Sequence, residues 1–175
     1  PHNKLNTKVL NYDDLYSRFN IEIVNDEFFE NYKKLFLNLQ NKIENDEIFN
    51  KFLKEKNITS DFFSKRLLGQ IVFCYFLQKK RWLGVSKMNK FGAGDPNYLR
   101  SVFNIYEKKK EKFFNKFLEF FFYEGLNNLN EDNFVKSLNV KVPYVGGGLF
   151  EYFEGYDWKN ENLNIPNSFF SNKNK

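Results

Sequence analysis

Apolar residues recur at helical spacing along most of this chain, and the interruptions between the runs divide it into elements. After a short opening segment around Asp13-Asp14-Leu15-Tyr16, Asn25 is placed to cap a helix whose first turn carries Asp26 and Glu27. Phe28, Tyr32, Leu35, Phe36, Leu39 and Ile43 then form one apolar face, which reads as core. A shorter helix follows from about Asn45, turns Ile48, Phe49, Phe52 and Leu53 inward, and stops near Asn57. Ser60 caps a third, running to Lys80 through Ile71-Val72-Phe73-Cys74-Tyr75-Phe76-Leu77. Because its middle is apolar all round, this helix is expected to be the most enclosed element, surrounded by other helices. Arg66 and Gln70 share a face of it, and Gln78 lies near its end. Polar groups on so buried a helix need hydrogen-bond partners, so a structural role is expected for Arg66 and Gln70.

The pattern breaks from Gly84 to Gly94, a loop long enough to carry function. Asp95 and Pro96 fit the N-cap and first position of a further helix, with Leu99, Val102, Phe103 and Tyr106 on its inner face. Another spans about Lys110 to Glu124, rich in Phe, and Gly125 is placed to end it in a left-handed cap. Beyond Asn139 periodicity fades into Val142-Pro143-Tyr144-Val145-Gly146-Gly147-Gly148-Leu149-Phe150 and a polar tail with Trp158, Ile165, Phe169 and Phe170. The expected fold is all-α: an irregular bundle of about five or six helices in one domain, helical over 19–139 and mostly irregular over 140–175. The glycines at 146–148 read as a turn that lets Tyr144, Leu149 and Phe150 pack onto the helices.

Composition adds limits. A chain of 175 residues can bury a core without staples, and the lone Cys74 lies in the longest apolar run, where a thiol serves as a small hydrophobe. That run is far shorter than the roughly 20 residues a membrane span needs, and no signal peptide opens the sequence, so a cytoplasmic protein with no membrane partner is expected. Asn occurs 26 times, Phe 23 times and Ala once, and 23 Lys stand against 4 Arg. This is the imprint of an AT-rich genome, which weakens the net charge of +5 as a sign of a nucleic-acid partner. The distribution says more: residues 61–112 carry 12 basic and 4 acidic side chains, a balance of +8.

Much chemistry is excluded. One histidine, His2, and one cysteine do not make the usual zinc arrangements or catalytic triads. No Gly-Lys-Ser/Thr follows the triple glycine and Pro143 precedes it, so it fits no phosphate loop. Glu107-Lys108-Lys109 has the Glu-x-Lys spacing of many nucleases, but those groups need a strand and a second acidic partner upstream, and here the pattern is helical. No catalytic, cofactor-binding or metal-binding residue is assigned.

Four ordered blocks carry a resemblance. Phe63 to Val85 includes Arg66-Leu67-Leu68, the apolar run, and Phe76-Leu77-Gln78-Lys79-Lys80-Arg81-Trp82-Leu83; then come Gly92-Ala93-Gly94-Asp95-Pro96-Asn97-Tyr98-Leu99-Arg100, the Phe-rich helix ending Glu124-Gly125-Leu126-Asn127, and Val142 to Glu151. Over about 19–170 the chain resembles the helical region of type IIG-like restriction-modification proteins and related phage-defence methyltransferases. It departs from them at Arg81, where they have glycine, and in Val145-Gly146, where they have Leu-Asn. The resemblance implies a connector between a nuclease domain and an adenine-specific DNA methyltransferase domain of a longer chain, neither of whose signatures is present here. The parent's cofactor would be S-adenosylmethionine, with Mg²⁺ for any cleavage. The partners implied are those flanking domains and double-stranded DNA, held weakly. Lys79, Lys80, Arg81, Lys87 and Lys90 are the candidate contacts to the DNA backbone, and Arg66, Gln70, Gln78, Trp82, Pro143, Tyr144, Gly146, Gly147 and Gly148 are the structural motif. The alternative is a structural or protein-protein adaptor without DNA contact, the cations then only solvating the helix end.

Overall fold

A computed structural model describes residues 21–163 and 165–171 of the chain, with side chains from residue 26 onward. The opening segment around Asp13 and His2 lies outside the described residues. Helices dominate, as the all-α expectation holds, and the chain divides into two compact units, 1–38 and 39–175, where the sequence reading has one domain.

Helix α1 (Ile21–Asn45) begins before Asn25, which therefore does not cap it. Its stripe is buried at Leu39 and Ile43, whereas Phe28 and Leu35 are exposed. Periodicity marks the apolar face of a helix, but burial also needs a facing layer. Helix α2 (Glu47–Glu55) is capped by Asp46, whose carboxylate accepts from Phe49 N at 3.0 Å. Phe49 and Leu53 are buried; Ile48, one residue off that face, is exposed rather than inward. Helix α3 (Ser60–Lys79) starts one residue after its true cap, Thr59, whose side chain accepts from Phe62 N.

Helix α3 buries one face, through Phe63, Leu67, Gln70, Cys74, Leu77 and Gln78. Val72, Tyr75 and Phe76 are exposed, so this element is not enclosed all round. The most enclosed run lies later. Phe114–Leu118 and Phe120–Leu126 are two π-helical segments joined by Glu119, with i→i+5 bonds such as Glu119 N to Phe114 O. Phe113, Phe117 and Phe121 stack in register, with centroids 5.4 Å apart and planes within 18°. Gly125 does not cap this element. It lies inside it, where an added Cβ would sit 2.8 Å from Val142 Cγ1.

Helix α4 (Tyr98–Lys108) begins two residues after the expected start. Asp95 instead closes a turn, accepting from Asn97 N at 2.7 Å. A short hairpin was not foreseen: β1 (Phe134–Val135) pairs antiparallel with β2 (Val140–Lys141), in register Phe134 with Lys141 and Val135 with Val140. The segment after it is largely irregular, as expected, yet Phe150, Phe153, Tyr156, Leu163 and Ile165 are all buried. Phe150 meets Phe73 and Phe122, and Phe153 stacks on Phe63 at 5.4 Å. Of the three residues expected to pack beside the glycine turn, Phe150 is buried while Tyr144 and Leu149 remain substantially exposed.

Helices α2, α3 and α4 end in the same way. Asn57, Arg81 and Lys110 take left-handed backbone, and the next amide reaches back one full turn and more: Ile58 N to Leu53 O, Trp82 N to Leu77 O and Glu111 N to Tyr106 O. At Arg81, φ is +56°, a conformation that costs an L residue about 1 kcal/mol relative to glycine. Arg81→Gly is expected to raise stability by roughly 1 kcal/mol in denaturant titration. Gly94→Ala should do the reverse, by about 1–3 kcal/mol, because its Cβ would lie 2.1 Å from the Leu83 carbonyl oxygen and 2.7 Å from that of Arg81.

Candidate functional site

The basic candidates depend on how the end of α3 is held. The carbonyl of Arg81 accepts from Gly92 N and Gly94 N at 3.0 and 2.9 Å, and that of Leu83 from Asp95 N at 3.0 Å. These bonds fold the loop 84–94 back on the helix end. The loop is tied again to the hairpin, where Lys141 N donates to Val85 O at 2.7 Å and Lys141 Nζ to Asn89 O at 3.1 Å. Lys79, Lys80 and Arg81 are consecutive and exposed at this end, where positive charge suits the helix dipole. Lys80 Nζ lies 5.7 Å from the Phe76 ring centroid.

Lys90 is exposed in the loop. Lys87 stands over the Phe134 ring at 5.2 Å and borders a cleft that also holds Glu124, Glu131 and Asp132. The structure therefore gathers Lys79, Lys80 and Arg81, while Lys87 turns toward acidic side chains. Ion pairs such as Lys51–Glu55, Lys56–Glu161 and Lys65–Asp61 lie elsewhere, and among the described residues none of the five candidates is neutralised by one.

The structural motif residues meet across the chain. Arg66 Nη2 donates to the carbonyls of Gly148, at 3.0 Å, and Glu151, while its guanidinium lies 4.7 Å from the Phe153 centroid. Gln70 Nε2 donates to Leu149 O at 2.8 Å. These two side chains thus hold the segment after the triple glycine on α3. Gly146 and Gly147 have φ of +64° and +75°, the turn geometry expected of them. Pro143 is buried, and Val145 N and Gly146 N both donate to Leu126 O. Gln78 Oε1 accepts from Leu99 N at 2.9 Å and so caps α4 from a distance. Trp82 is partly exposed and rests against Phe91 at 5.8 Å.

One buried charge-bearing group had not been singled out. Glu119, at the junction of the π segments, is 2% exposed and among the described residues forms no ion pair. It accepts hydrogen bonds from the Tyr156 hydroxyl and, at 2.9 Å, from Asn115 Nδ2. Burial pushes its carboxyl up to about 7, against the partial relief of those two bonds. Its signal in the sequence is a single acidic residue in the middle of an unbroken Phe-rich run. Burial likewise drives the Cys74 thiol upward, away from the reactive thiolate. Among the described residues no group of three His, Cys, Asp or Glu side chains is gathered to hold a metal ion.

Glu119 carries a pH prediction. Its folded value lies above the unfolded value of 4.5, so the folded state holds the extra proton. The stability it contributes is complete below about pH 4.5 and is lost as pH rises to about 7, on the order of 3 kcal/mol in all. Glu119→Gln, which keeps an acceptor for Tyr156, should remove that slope when melting of the two proteins is compared across the window. Equal slopes would show that Glu119 is ionised throughout. Comparison with protein-family models, with curated proteins and with solved structures finds no match.

Proposed function

We propose that this chain is a non-catalytic helical connector of a cytoplasmic DNA restriction-modification protein, whose exposed basic helix end touches the DNA backbone. The observation that carries the reading is the Lys79-Lys80-Arg81 cluster at the end of α3, exposed, without ion pairs among the described residues, and backed by a loop locked onto the Arg81 and Leu83 carbonyls. Fixed cations of this kind neutralise phosphates without reading bases. The four-block resemblance supplies the context: a parent chain with an adenine-specific methyltransferase, S-adenosylmethionine as its cofactor and Mg²⁺ for any cleavage. The functional groups for those reactions belong to the flanking domains. No described helix is long and apolar enough to cross a membrane.

A second reading, an adaptor with no DNA contact, is favoured by the exposed apolar residues Val72, Tyr75 and Phe76 on the outer side of α3, which suit a packed protein neighbour. Salt-dependent binding of duplex DNA separates the two. The connector should bind weakly and without sequence preference. Changing Lys79, Lys80 and Arg81 together to alanine should lower the slope of log K against log salt by up to about 0.9 for each of three phosphate contacts, equally across sequences. No binding by the wild type at low salt, or an unchanged slope in the triple variant, would favour the adaptor.

A further inference from the structure

The irregular segment after the glycine turn brings aromatic rings back over the end of the π-helical run. Tyr123 forms a buried floor there. Tyr152 stands nearly perpendicular to it, at 6.2 Å and 88°, and Trp158 leans on it at 5.3 Å and 53°. The edge-on contact of Phe120 with Trp158, at 5.5 Å and 90°, holds the indole in place. Tyr123, Tyr152 and Trp158 border an open cleft of about 740 Å³ that also carries the carboxylates of Glu124 and Asp157. Among the described residues Lys159 is its one cationic side chain, so the described charged groups sum to −1.

The electrostatics select a cation. Aromatic faces are negative, and the carboxylates add to that field, which disfavours a phosphate or carboxylate ligand. Each carboxylate has spare acceptor sites: Glu124 accepts from Ser137 Oγ, and Asp157 from Asn160 Nδ2 and the backbone amides of Lys159 and Asn160. The fold already places an ammonium here, since Lys159 Nζ lies 5.5 Å from the Trp158 ring centroid. We propose that this cleft is a binding site for an alkylammonium cation, seated between Tyr152 and Trp158, with Lys159 occupying the site in its absence. Nothing in this rests on contact with DNA.

The test uses choline, its neutral carbon analogue 3,3-dimethyl-1-butanol, and N-acetyl-trimethyllysine amide, followed by Trp158 fluorescence in a Trp82→Phe background and by methyl-proton shifts of the probe. The two ammonium probes should bind and the neutral analogue should not. The tighter of the two identifies the source as a free amine or a lysine side chain. Tyr152→Ala, at a position 56% exposed, should weaken binding about threefold to tenfold with an unchanged melting temperature. Lys159→Ala should strengthen it, because the competing internal ammonium is gone. Equal binding of the neutral analogue, no binding of either ammonium probe, binding of adenosine in their place, or weaker binding in Lys159→Ala would each overturn the proposal.

Discussion

Three polar side chains on the buried side of α3 hold together segments far apart in sequence. Gln78 supplies the acceptor that the first turn of α4 needs, Gln70 binds the carbonyl of Leu149, and Arg66 binds those of Gly148 and Glu151. A buried amide without a partner costs on the order of 1–3 kcal/mol, so each bond leaves little freedom in where its partner sits. Because the three residues are spaced along one helix, α3 sets the position of α4 and of the glycine turn together.

The second constraint is aromatic. Phe113, Phe117 and Phe121 stack at four-residue intervals along the widened π-helical turn, and Phe150, Phe153 and Tyr156 from the irregular segment close over the same core. Glu119 lies within this apolar wall because Tyr156 and Asn115 satisfy its oxygens. The cost of burying it falls on the ionised form, which is why the group holds its proton near neutrality. The same return of the chain that brings Tyr156 to Glu119 sets Tyr152 and Trp158 around the acidic cleft, next to Lys159. The acidic cleft and the basic end of α3 are therefore two surfaces of opposite charge.

The sequence by itself determined the helical class, the approximate spans of α2, α3 and α4, the stop at Asn57, and the demand that Arg66 and Gln70 find partners. These follow from local rules, the period of a helix and the hydrogen-bonding capacity of a side chain, and so are legible in one dimension. The exposed Lys79-Lys80-Arg81 run was equally readable, since consecutive cations at a helix end seldom lie in a core. Tertiary structure decided which apolar faces are covered: Ile48, Phe76 and Tyr75 look like core and are not, while the tail residues Phe153 and Tyr156 are. It also decided the π-helical geometry, the role of Gly125 as a point of close approach to Val142, and the meeting of Glu119 with Tyr156 across 37 positions. Each of these depends on a neighbour supplied from far along the chain, and long-range packing leaves no period in the sequence.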